Sequence, residues 1–183
     1  MNVLVLHGSP RKNKNSDTLA DFFLKGLQSN GKRRIRHFYL NDLKIKPCQG
    51  CLHCSMAPEH ECSISDDMGL IYTAYKEADL IVFTTPMYWG YMTAQMKTAF
   101  DRMEALAWQG FAGKIFVVLI TYNFHCQSTL EFFQRISPFF KIRLHYISCR
   151  TYDHIHHHEI PVADCQAELQ QAYNLGKTIG ATE

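Results

Sequence analysis

The chain has 183 residues, 46% hydrophobic and 20% charged, with a formal net charge of +2. That is globular composition rather than disorder, and the chain is long enough to bury a substantial core. The weak net charge argues against a nucleic-acid partner, and the one basic run, Lys32-Arg33-Arg34 with Arg36, reads as a solvated, charge-protected sheet edge.

In chain order, "NVLVLH" (2–7) is a continuous apolar run, as in a buried parallel strand. Ser16 or Asp17 can cap a helix running to about Ser29, and "RIRHFYL" (34–40) is a second strand. A cysteine-rich insert at about 47–65 follows, then a helix from Asp66 or Asp67 to Lys76. "DLIVFTT" (79–85) is a third strand, ending at Pro86; residues 92–108 read as one long helix and "KIFVVLI" (114–120) as a fourth strand. A helix over 128–140 is distorted or ended by Pro138, "IRLHYIS" (142–148) is a fifth strand, and 162–179 a closing helix.

This alternation predicts one α/β domain over 1–183, a three-layer sandwich with a five-stranded parallel sheet in order 2-1-3-4-5 and helices on both faces. No apolar run reaches membrane-spanning length, and "MNVLVLHGSP" is too short in apolar residues for a signal peptide. A cytoplasmic location is therefore expected, where thiols stay reduced.

Ligands of such sheets bind beyond the carboxyl ends of the strands, at the switch point between strands one and three. The two loops there are unusual. "GSPRKNKNSDT" (8–18) offers backbone N–H groups, the hydroxyls of Ser9, Ser16 and Thr18, the Asn15 amide and the Arg11 cation, a set suited to a phosphate or equally to a polar loop with an N-cap. "TTPMYWG" (84–90) puts Tyr88 and Trp89 in a Pro/Gly turn, where rings can flank a planar heterocycle and are poorly placed to be core.

"CQGCLHCSMAPEHEC" places Cys48, Cys51, Cys54 and Cys62 within fifteen residues. Tandem C-x2-C steps let three sulfurs approach three corners of a cubane while a fourth arrives from further on. Structural zinc more often separates its cysteine pairs by a longer loop. Cys126, Cys149 and Cys165 are scattered and read as small apolar fillers. His154, His156, His157 and His158 follow strand five in what reads as a solvated loop, at a subunit contact or the site rim, and His7 as a packed strand-end residue.

"GSPRKNKNS", "TTPMYWG", "MKTAFDR" and the cysteine run followed by "DDM" together resemble the NADPH-dependent FMN reductase and iron–sulfur flavoprotein family, a flavodoxin-like group. The likeness is close over roughly 1–105 and continues mainly in pattern. It implies non-covalent FMN, with Ser9, Arg11, Asn15, Ser16 and Thr18 on the phosphate and Pro86, Met87, Tyr88 and Trp89 along the ring. Asp101 and Arg102 match a helix signature with a supporting or interface role.

The activity implied is transfer of electrons from NAD(P)H through FMN to a quinone, a free flavin or another small acceptor, with no side chain catalytic. In the iron–sulfur branch the four cysteines hold a [4Fe–4S] cluster that relays single electrons to and from a ferredoxin-like protein. The gap from Cys54 to Cys62 is longer than in that branch, and cluster-free reductases carry similar runs, so cluster, zinc and free thiols stay open, with the cluster favoured. The resemblance also implies a homodimer or homotetramer. "TYNFHCQS" (121–128) lacks the glycines that relatives carry near the flavin, so Tyr122, Phe124 and His125 are expected to narrow the pocket.

Overall fold

The computed structural model describes residues 1–57, 59 and 61–182, leaving aside the side chains of Trp108 and Gln109. In chain order the elements are β1 (Asn2–His7), α1 (Asn15–Gln28), β2 (Arg34–Tyr39), a 3-10 turn (Leu40–Asp42), α2 (His53–Met56), α3 (Met68–Glu77), β3 (Leu80–Tyr88) and β4 (Tyr91–Met92). Then come α4 (Ala94–Arg102), α5 (Glu104–Gly110), β5 (Ile115–Tyr122), α6 (Gln127–Phe139) and β6 (Arg143–Arg150). The chain closes with β7 (Tyr152–Asp153), β8 (His158–Glu159), a second 3-10 turn (Val162–Asp164) and α7 (Gln166–Thr182).

The five long strands pair in parallel in the order β2-β1-β3-β5-β6, the order expected from the sequence. Side-chain alternation along the central strands splits the core into two layers. Leu4, Leu6, Ile81, Phe83, Phe116 and Val118 face α3, α4, α5 and α6. Val3, Val5, Leu80, Val82, Val117 and Leu119 face α1 and α7. Those two helices pack backbone to backbone: a Cβ on Gly26 would sit 1.9 Å from the Tyr173 carbonyl oxygen, and one on Gly176 2.0 Å from that of Phe23.

Arg34 and Arg36 of the basic run lie as expected on the edge strand β2 and pair with Glu77, whereas Lys32 and Arg33 precede the strand and the half-buried Arg33 donates to the Gly180 carbonyl of α7. Four expectations need correction. The helix expected over 92–108 is two, α4 and α5, broken at Met103. The apolar pattern runs through the break, because both helices pack on the same layer.

β3 passes through Pro86 to Tyr88. The Gly8 N–H donates to the Thr84 carbonyl, so even-numbered residues of β3 point toward β1, whose pairing ends at Thr84. The missing N–H of Pro86 therefore costs no ladder bond. Neither Ser16 nor Asp17 caps α1: the N-cap position is Lys14 and no side chain caps it. The segment 151–159 carries a two-stranded hairpin, β7–β8, exposed from Ile155 onward, rather than a plain loop.

Candidate flavin site and cysteine loop

The site grows from the carboxyl ends of β1 and β3, the switch point of the sheet. Asp17, free of capping, accepts from the Asn13 N–H at 2.6 Å and from His7 Nδ1 at 2.7 Å. It thus pins the loop after β1 from beneath. His7 is buried, stacked 4.2 Å from the Tyr39 ring, with Nε2 3.0 Å from His37 Nδ1, as befits a packed strand-end residue. Burial, then His7 itself, lowers the His37 pKa.

This leaves the first N–H groups of α1 without a capping side chain, beside the buried Ser9 and Ser16. A helix N-terminus in that condition favours an anion. Ser9 Oγ accepts the Arg11 N–H at 3.1 Å, and Ser16 Oγ lies 2.9 Å from Thr121 Oγ1. Thr93 Oγ1 donates to the Gly8 carbonyl at 2.7 Å and accepts the Met96 N–H at 3.3 Å, stitching the loop to the N-terminus of α4.

The second wall is the hairpin β3–β4, with Met87 opposite Met92 and Tyr88 opposite Tyr91. Its two-residue turn holds Trp89 at φ 49° and Gly90 at φ 76°. Positive φ at both positions is the type I′ geometry that matches strand twist, and asparagine rather than tryptophan usually fills the first. Such strain is characteristic of functional sites. Trp89 is fully exposed and Tyr88 is 40% exposed, so neither is core. Thr129 Oγ1 on Met87 Sδ at 3.3 Å and the Ser128 hydroxyl on the Gly90 carbonyl tie the hairpin to α6.

The structure brings Ser9, Arg11, Asn15, Ser16, Pro86, Met87 and Tyr88 around one cleft of about 150 Å³. Tyr122, expected to narrow the pocket, is also in its lining, and Lys14, Thr121, Asn123 and Thr151, not singled out from the sequence, complete it. Thr18 lies outside this lining, and its hydroxyl donates to the Lys14 carbonyl at 3.3 Å. Trp89 lines a wider opening of about 860 Å³ with Met87, Tyr88, Gly90, Asn123, Phe124 and His125. Phe124 rests 4.5 Å from the His154 ring, whose Nε2 is 2.7 Å from the Asn123 carbonyl, so this loop walls the opening. Two cations, hydroxyls and uncapped N–H groups beside an aromatic hairpin fit the phosphate and ring of FMN.

The cysteine segment has a tied neck. Arg102, only 2% exposed, donates to both carboxylate oxygens of Asp66 (2.8 and 3.3 Å), to the Lys46 carbonyl (2.9 Å) and to the Ile64 carbonyl (3.1 Å). Asp66 also accepts the Lys46 and Met68 N–H groups, and Asp67 the Lys44 N–H. Burial opposes ionisation of Asp66, yet the Arg102 and backbone hydrogen bonds hold its pKa below the usual value. The Arg102 carbonyl accepts the Tyr72 hydroxyl at 2.8 Å. Asp101 lies outside this network, paired with Lys97 at 2.5 Å.

Within the loop, Gly50 and Leu52 both take left-handed backbone angles. Cys48 and Cys51 are exposed, Cys54 and Cys62 half-buried. Cys51 Sγ lies 3.5 Å from Ser63 Oγ, which lowers its pKa, while burial raises that of Cys54. Among the described residues no three of these thiols lie within 4.8 Å of one another. Donors on one zinc ion stand about 3.8 Å apart. A cubane, with a ligand on each of four corners, spaces its donors more widely.

Among the described residues no helix is long and apolar enough to cross a membrane. An iron–sulfur flavoprotein of Archaeoglobus fulgidus is 36% identical over 116 residues, 62% of this chain and 57% of the relative. The chain spans about half the length of the curated relatives it matches. Among solved structures, an NAD(P)H:quinone oxidoreductase from Methanothermobacter marburgensis superposes with TM-score 0.68 at 16% identity, covering 98% of both chains. A flavodoxin from the domain Archaea superposes with TM-score 0.60 at 15% identity over all of this chain and 98% of its own, so the fold is flavodoxin-like. The model of the NADPH-dependent FMN reductase family matches residues 1–148, and the chain belongs to that family.

Proposed function

We propose that the chain is an FMN-dependent oxidoreductase that takes electrons from NAD(P)H and passes them to a small acceptor such as a quinone or a free flavin. The observation that carries this reading is the convergence of the uncapped α1 N-terminus, Ser9, Arg11 and Lys14 with the Pro86–Tyr88 strand end around one cleft. Bound FMN supplies the hydride and single-electron chemistry.

The side chains bind and orient. Ser9, Ser16, Arg11, Asn15 and Lys14 hold the phosphate against the helix N-terminus, and Pro86, Met87, Tyr88 and Trp89 lie along the ring. Thr18 acts from within the helix by bracing the Lys14 carbonyl. The opening beside Trp89 and Phe124 admits nicotinamide and acceptor in turn, and the exposed rings shield the reacting face from water. The fully exposed Trp89 and the exposed Leu52 and Met56 favour a homodimer or homotetramer that covers them.

A second reading rests on the tied four-cysteine loop and on relatives named iron–sulfur flavoproteins. In it Cys48, Cys51, Cys54 and Cys62 hold a [4Fe–4S] cluster that exchanges single electrons with a ferredoxin-like protein. Steady-state oxidation of NADH and NADPH with quinone and flavin acceptors tests the first reading: no turnover with either nucleotide removes the hydride step. Iron and acid-labile sulfide in anaerobically purified protein test the second, which predicts about four of each per chain.

A further inference from the structure

On the sheet face opposite the cysteine loop, the fold gathers three donors that are distant in sequence. Cys149 near the end of β6, Cys165 in the turn before α7, and Glu168 in the first turn of α7 place two sulfurs and a carboxylate oxygen all within 4.8 Å of one another. Both cysteines pack in the apolar layer on α1 and α7, as fillers do, but they are neighbours in space rather than scattered.

Regular structure sets the convergence. Cys149 is fully buried and paired across the sheet with Thr121. Cys165 is fixed by its N–H on the Val162 carbonyl (2.9 Å) and by the Leu169 N–H on its own carbonyl (3.0 Å). The Arg150 carbonyl stands 3.8 Å from Cys149 Sγ and 3.7 Å from Cys165 Sγ. Donors around one tetrahedral zinc, with bonds of about 2.0–2.3 Å, lie about 3.4–3.8 Å apart. Each sulfur already stands at that spacing from this carbonyl, and the two sulfurs lie within 4.8 Å of each other.

Burial, followed by Cys165 and Glu168, pushes the Cys149 thiol up. Two thiols and a carboxylate so close oppose one another's ionised forms, and a divalent cation reverses that opposition.

We propose that Cys149, Cys165 and Glu168 form a binding site for one thiophilic divalent cation, zinc being the reference case, with the Arg150 carbonyl or water in the fourth position. Binding displaces the two thiol protons to solvent and forms two metal–sulfur bonds. The ion would join the end of β6 to the start of α7. Between them lie Thr151, which lines the small cleft, and His154, which holds the Asn123 carbonyl, so the ion would brace that wall.

The test must separate this site from the cysteine loop. The full chain carrying Cys48→Ser, Cys51→Ser, Cys54→Ser and Cys62→Ser, kept reduced, is titrated with Zn²⁺ against a chromophoric chelator. Uptake of about one Zn²⁺ per chain is expected, lost when Cys165→Ser is added and weakened by Glu168→Gln. A folded four-serine variant that takes up no more Zn²⁺ than its Cys165→Ser derivative overturns the proposal. Should the four-serine variant not fold, the wild type is compared with Cys165→Ser alone. About one Zn²⁺ fewer per chain in the variant supports the site, and equal uptake overturns it.

Discussion

Replacing Arg102 by methionine should loosen the cysteine loop and destabilise the whole chain. Methionine fills much of the same volume but returns none of the four hydrogen bonds to Asp66, Lys46 and Ile64. Asp66, whose side chain is 5% exposed, is left as a buried carboxylate without its cation. Removing one partner of a buried pair costs about 3–5 kcal/mol, most of it the desolvation of the survivor. With a urea m-value of about 2–3 kcal/mol/M, the unfolding midpoint should fall by about 1–2.5 M. Adding Asp66→Asn removes the stranded charge and should recover more than about 1 kcal/mol, a coupling that a double-mutant cycle reads directly. Glu59 and Glu61 lie inside the loop, so a Glu-specific protease reports its opening independently. A midpoint within about 0.3 M of wild type, with no faster cleavage, would refute the view that Arg102 ties the neck.

Other perturbations reach different parts of the molecule. Gly176→Ala should cost at least about 3 kcal/mol, because its Cβ meets the Phe23 carbonyl in rigid helix backbone; a thermal melt checks this. Arg11→Ala should weaken FMN binding about tenfold, the scale of one charge-assisted hydrogen bond, and leave riboflavin affinity unchanged, both read by flavin fluorescence. The lowered His37 pKa gives stability that is fully present above about pH 6.5 and lost as pH falls through the unfolded pKa toward the folded one. The melting temperature should therefore drop on acidification from neutral pH, and His37→Gln should blunt that drop.

The parallel sheet was legible because each buried strand is a continuous apolar run, "NVLVLH" and "KIFVVLI" most plainly. What stayed hidden depends on contacts distant in sequence. The break at Met103 leaves the apolar pattern intact. The β3–β4 hairpin is invisible because Trp89 occupies a backbone angle its side chain disfavours. "DDM" and "MKTAFDR" both stood out, but that Arg102 closes on Asp66 is a fact of packing. Lys14 and Asn123 enter the cleft only once α1 and the loop after β5 meet, and Thr18, placed in the phosphate set by its hydroxyl and motif position, instead donates to the Lys14 carbonyl outside the lining.

The most direct test of the central claim is anaerobic titration of the FMN-loaded protein with NADPH, and separately with NADH, followed at the oxidised-flavin absorbance. Bleaching complete at about one nucleotide per flavin, with recovery on adding a quinone, is the result predicted. A flavin that stays oxidised under excess of both nucleotides, yet is reduced by a chemical reductant, would contradict it and leave the electron-relay reading in its place.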